Sequence, residues 1–145
     1  MMKQLMVYQK KHLGEMLESM RDLEEEFRRC GDIFTAALLY GDGPLRDAEI
    51  RNMIRSSDRL HRLEENLLLL FFNETTINGG IVATEKLLLK VRSRPDQGIY
   101  AAVVESSRGK EGTLMIHQLF NILEFAVEHH HVNEVLDSSY LDSVY

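Results

Sequence analysis

Three adjacent histidines, His129-His130-His131, stand beside Glu124 and Glu128, and their spacing suggests metal chemistry. Glu128-x-x-His131 has the separation of a carboxylate-bridged di-iron ligand pair, and Asp58-x-x-His61 with Glu64 could supply a second. A bundle of that kind needs two further inward carboxylates. Asp22, Glu24 and Glu85 fall off the apolar stripes instead, on faces expected to be wet. Three consecutive helical residues also point in three directions and cannot converge on one ion. A solvated helix end, where histidines favour the carboxyl-terminal dipole, is the preferred reading, and no metal site is expected. Cys30 with His12 or His61 could serve nucleophilic catalysis, but a lone cysteine on an apolar stripe reads as a small core residue. Gly41-x-Gly43 and Gly79-Gly80 lack the strand-before, helix-after setting of a phosphate loop and read as turns. The residues therefore predict no catalytic group and no enzyme.

The elements that would position these groups read as helices. Only Pro44 and Pro95 interrupt 145 residues, a length suited to a single domain over 1–145. A short first piece spans 3–12. Leu13, Met16, Leu17, Met20, Leu23, Phe27, Cys30, Phe34, Ala37 and Leu38 then recur at steps of three and four, predicting one long amphipathic helix stopped at Gly41-Asp42-Gly43-Pro44. Asp47 and Asp58 are read as caps, of a short helix with Ile50, Met53 and Ile54 and of another lined by Leu60, Leu63, Leu67 and Phe71. A turn over 75–80 and a helix over 81–92 follow, and the apolar stretch 98–106 is taken as helix rather than strand. Residues 108–112 read as a loop. The segment 113–131 is apolar all round and predicts a central helix enclosed by others. A last short helix over 132–136 and a tail to Tyr145 complete an all-α bundle of seven or eight helices.

A net charge of −6 argues against phosphate backbones as partners. No apolar run approaches the length of a membrane span, and the single cysteine suits a reducing compartment, so the cytoplasm is the expected location. Within the long predicted helix, Leu23-x-x-x-Phe27-x-x-x-Gly31-Asp32-x-Phe34 sets large apolar residues four apart before a glycine and an aspartate. A mid-helix glycine costs about 1 kcal/mol, so Gly31 calls for a reason such as close helix approach.

That stretch resembles the third homology motif of the Bcl-2 family of apoptosis regulators, with Phe27 at the leucine position and Gly31-Asp32 matching outright. Phe71-Phe72-Asn73-Glu74 followed by Asn78-Gly79-Gly80-Ile81-Val82-Ala83 looks like the first homology motif, though Gly80 stands where that motif carries arginine. An alternative register uses Gln97-Gly98-Ile99-Tyr100-Ala101 and also lacks the arginine. The absent anchor is similar to the compact homologues of large DNA viruses. The resemblance implies a Bcl-2-like bundle in the host cytoplasm, peripheral to mitochondria, that sequesters the amphipathic helix of pro-apoptotic proteins such as Bim. It implies no cofactor. Phe34, Leu38, Leu67, Phe71, Gly79, Val82 and Leu87 would line the groove. Without the arginine, only ligands with strong apolar anchors should bind, and an unoccupied groove would favour a homodimer. The rivals are a small helical adaptor or secretion chaperone and the di-iron bundle.

Overall fold

The computed structural model describes residues 2–107 and 110–142. The first helix, α1, is longer than expected at its start and shorter at its end, running unbroken through Met2–Cys30. Arg28 and Arg29 occupy its last turn, where cations favour the helix dipole. Gly31 lies just past the end with φ +76°, and its N–H donates to the Phe27 carbonyl at 2.9 Å. It is therefore a left-handed stop, a conformation that costs glycine nothing, and not a mid-helix contact point.

Beyond it the all-α expectation fails. Phe34–Gly41 form a strand, β1, with all eight residues buried. After a four-residue helix α2 (Ile50–Met53) come β2 (Arg59–Glu64), β3 (Leu67–Asn73) and α3 (Ile77–Val91). Then follow β4 (Ile99–Glu105), α4 (Gly112–Glu128), the two-residue β5 (Val135–Leu136) and α5 (Ser139–Asp142). Arg108 and Gly109 of the predicted loop, and the tail over 143–145, lie outside the described residues. The five strands form one sheet in the order β2-β3-β1-β4-β5. β1 runs antiparallel to β3 and β4, with Leu38 opposite Leu69 and Ala102, while β5 lies parallel to β4. β2 and β3 make a hairpin around Glu65 and Asn66.

The sheet is covered on both faces, and this misled the periodicity. One face packs Leu38, Leu67 and Phe71 against α1 and α4; the other packs Leu39, Leu68 and Leu70 against Leu87 and Leu88 of α3. A strand buried on both sides reads as a continuous apolar run, not as alternation. Leu67 to Phe72 is that run, and it lies in β3. The stretch 98–106 is likewise strand, and 132–136 contains β5 rather than a helix. α4 coincides with the expected apolar helix but lies on the sheet instead of being enclosed: Leu114 is 45% exposed while Met115, Ile116, Leu119 and Phe120 are buried. The position at the centre of the molecule belongs to β1. α3 begins earlier than predicted, because the Thr76 hydroxyl caps it by accepting from the Gly79 N–H at 3.3 Å. Its first turn presses on β1: a Cβ at Gly80 would fall 2.5 Å from Thr35 Cγ2.

Candidate functional site

An open cavity of about 350 Å³ lies on the α3 side of the sheet, at the end where β3 passes into that helix. Three pieces of chain build it. Met53 and Ile54 come from the end of α2, Arg55 and Asp58 from the link into β2, and Val82, Lys86 and Leu87 from α3. The link is not a helix cap, as the sequence suggested. The Asp58 side chain is only 4% exposed and accepts from the backbone N–H of Arg55 and of Asn73, each at 3.0 Å. The carboxylate also takes Nε of Arg55 at 3.3 Å and Nη2 at 3.1 Å. Nη2 further donates to Thr75 Oγ1 at 2.8 Å and to the Asn73 carbonyl.

These bonds hold the guanidinium in one orientation. They use Nε and Nη2, while Nη1 takes part in none of them, and the Arg55 side chain stays 56% exposed. With Nε and Nη2 committed to Asp58, Asn73 and Thr75, Nη1 is the guanidinium nitrogen left to donate to an acceptor on a ligand. Lys86 adds a second cation to the cavity and has no ion pair among the described residues. Val82 and Met53 are large apolar side chains left about half exposed at its mouth.

A second polar concentration lines an open cavity of about 310 Å³ at the β2–β3 hairpin tip, where several of its groups are bonded to one another. Glu64 binds Lys11 Nζ at 2.8 Å and His12 Nε2 at 2.5 Å. Asn66 Oδ1 accepts from the Tyr8 hydroxyl at 3.0 Å, and its amide reaches Gln4 at 3.2 Å. The Lys11 hydrogen bond, followed by that of His12, holds the Glu64 carboxyl below the usual carboxylate range. Burial pushes the Tyr40 phenol, which donates to Gln4, up to about 12. Hydroxyl and carboxylate here are satisfied internally, so the α3-side cavity is the better candidate.

The residues expected to line one trench are divided between two faces of the sheet. Gly79, Val82 and Leu87 line the cavity just described. Phe34, Leu38, Leu67 and Phe71 are at most 1% exposed in the core beneath α1 and α4, where no ligand helix can reach them. Leu23 and Phe27 lie on α1, with Gly31 and Asp32 in the link to β1. The suggested metal pairs are parted as well: Asp58 is engaged by Arg55, His61 packs edge-on against Phe71, and Glu64 pairs with Lys11. Among the described residues no three His, Cys, Asp or Glu side chains converge as a metal site. Arg55 and Lys86 were missed, since their signal is a spacing across a loop and a helix that only the folded chain brings together.

No protein-family model and no curated protein matches the sequence. Solved structures do match. The GGDEF domain of DgcB from Caulobacter crescentus, in complex with c-di-GMP, superposes with a TM-score of 0.67 at 10% identity, over 84% of this chain and 85% of that one. The fold is that of GGDEF domains. The active GGEEF domain of a diguanylate cyclase from Vibrio cholerae also gives 0.67, at 9% identity, over 85% of this chain and 94% of its own. Diguanylate cyclase SiaD from Pseudomonas aeruginosa, in complex with its activator SiaC, gives 0.65 at 13% identity, over 85% of this chain and 56% of its own.

This likeness overturns the Bcl-2 resemblance and with it the anti-apoptotic function, the viral setting and the pro-apoptotic partners. The adaptor, chaperone and di-iron readings find no support, and the homodimer argued from a vacant Bcl-2 groove loses its basis. The expectation of a non-enzyme is corrected too, because the fold is shared with diguanylate cyclases, which are enzymes. The names GGDEF and GGEEF spell residue strings, and neither string occurs in this chain; its one Gly-Gly pair, Gly79-Gly80, is followed by Ile81-Val82. Among the described residues no helix is long and apolar enough to cross a membrane.

Proposed function

We propose that the chain serves cyclic dinucleotide signalling, and that it binds a guanine nucleotide of the c-di-GMP class in the cavity between α2, α3 and β3. The single observation that carries this reading is Arg55, which lines the cavity braced by Asp58, Asn73 and Thr75, with its Nη1 engaged in none of those bonds. Guanine offers two acceptors in one plane, O6 and N7, and the uncommitted Nη1 can donate to one of them. The walls from Met53, Val82 and Leu87 suit the face of a purine, and Lys86 suits a phosphate. Bracing matters because a side chain already held in place loses less entropy on binding. The solved domain of the same fold from Caulobacter crescentus is in complex with c-di-GMP, which supports the choice of ligand class.

Isothermal titration of the full chain with c-di-GMP tests the proposal. Saturable binding is expected, lost in Arg55→Ala and weakened about tenfold or more in Lys86→Ala, the scale of one charge-assisted hydrogen bond. Absence of binding by the unaltered chain would overturn the reading. Incubation with GTP and magnesium is the companion measurement. Cyclic dinucleotide formed equally well by the chain and by Arg55→Ala would move the nucleotide to the hairpin rim and remove the cavity from the account.

A further inference from the structure

The cavity beside Arg55 contains few side chains able to recognise a ligand. Four of those lining it are polar: Arg55, Asp58, Thr75 and Lys86. The Asp58 carboxylate is occupied by the Arg55 guanidinium and by the backbone N–H groups of Arg55 and Asn73. Thr75 Oγ1 accepts from Arg55 Nη2, and its own proton goes to the Asn73 carbonyl at 2.9 Å. Two side-chain donors are left in the lining, Arg55 Nη1 and the Lys86 ammonium. The first can meet one acceptor on a base and the second one phosphate.

Charge and apolar surface give the same count. Two cations against one carboxylate leave the lining with one positive charge, the complement of one phosphodiester. Met53 and Val82, 45% and 51% exposed, are the large apolar side chains of the lining that a ligand can reach, and together they offer a seat for one purine face. The volume of about 350 Å³ also lies near the lower end of the range for ligand pockets, about 300–1,000 Å³.

c-di-GMP is two guanylate units closed into a ring, with two bases and two phosphodiesters. We infer that the cavity recognises a single guanylate unit, an inference that rests on the proposed binding of c-di-GMP beside Arg55, and that the other half of the ring stays in water at the cavity mouth. The second base and the ring closure meet no free donor of the lining. The ligand class is therefore any nucleotide that presents one guanine and its phosphate, cyclic or not.

Isothermal titration of the full chain with four probes tests this: c-di-GMP, the mixed cyclic dinucleotide of guanine and adenine, 5′-GMP, and ribose 5-phosphate. The mixed ring and 5′-GMP should each bind no more than about tenfold more weakly than c-di-GMP. Ribose 5-phosphate, which lacks the base, should bind at least about tenfold more weakly than 5′-GMP, and Arg55→Ala should weaken 5′-GMP by at least about tenfold. Urea unfolding of the variant confirms that it is folded. If c-di-GMP binds and either the mixed ring or 5′-GMP loses more than about tenfold, the second half of the ring is read by the protein. That result would overturn the single-unit site and leave the nucleotide assignment at Arg55 standing. A smaller loss for ribose 5-phosphate, or unchanged 5′-GMP affinity in folded Arg55→Ala, would also overturn the site. Absence of c-di-GMP binding would overturn both.

Discussion

Asp58 and Arg55 form one contact, yet their removal should have different consequences, because one is buried and the other is not. Asp58→Ala deletes a carboxylate whose side chain is 4% exposed. It leaves the N–H groups of exposed Arg55 and partly buried Asn73 without their acceptor, and the second is the costlier to strand. A buried donor left unpaired costs about 1–3 kcal/mol, and the charged partner lost at the same time adds little, since Arg55 is 56% exposed and can be hydrated. A net loss of about 1–2 kcal/mol follows, or roughly 3–8 °C in melting temperature for a domain of this size. Arg55→Ala is milder. The Asp58 carboxylate keeps both backbone donors, and the expected loss is under about 1 kcal/mol. For c-di-GMP the ranking reverses: Arg55→Ala removes the donor, whereas Asp58→Ala only frees it to wander and weakens binding in part. Urea unfolding and calorimetric titration on the same two variants give both rankings. Equal loss of stability in the two, or a neutral Asp58→Ala, would refute the claim that Asp58 is the brace.

Leu38→Ala, at a fully buried position of β1, should cost about 2–5 kcal/mol in chemical denaturation while leaving the Arg55 cavity able to bind. Gly80→Ala should destabilise by about 1–2 kcal/mol despite better helix propensity, because its Cβ meets Thr35 Cγ2 at 2.5 Å; Thr35→Ser, which deletes that methyl, should recover part of the loss in the double variant. Glu64 gives a pH signature of definite sign. Its folded-state carboxyl is held below the usual value, so its contribution is complete above the ordinary carboxylate range and is lost as the pH falls through the lowered one. Thermal melts should show a decline in stability over that acidic window that is shallower in Glu64→Gln, and an unchanged slope would remove Glu64 from the account.

The sequence's legibility divided along a physical line. Helices with one dry face were readable: the buried Met16, Met20 and Leu23 of α1 fall at helical steps, and α4 coincides with the most apolar stretch. Strands covered on both faces were not, because nothing alternates in them. Phe34, Ala37 and Leu38 fitted the helical phase of α1 only because every residue of β1 is buried. The Gly31 signal was real but misread. It marks a left-handed stop between helix and strand, and taking it for an interior contact point joined two elements into one and produced the family resemblance. Once Leu67 to Phe72 was read as helix, Leu67 and Phe71 shared one apolar face and the imagined trench followed.

By itself the chain determined the amphipathic stripe of α1, the break at 41–44 and an acidic net charge, because these depend on local periodicity and composition. Tertiary structure alone decided the sheet, its order, and the meeting of Arg55, Asp58, Thr75 and Lys86 around one cavity. The reason is range. Pairing β1 with β3 and β4 joins residues about thirty to seventy positions apart, and a contact over that distance leaves no mark on the spacing of its neighbours.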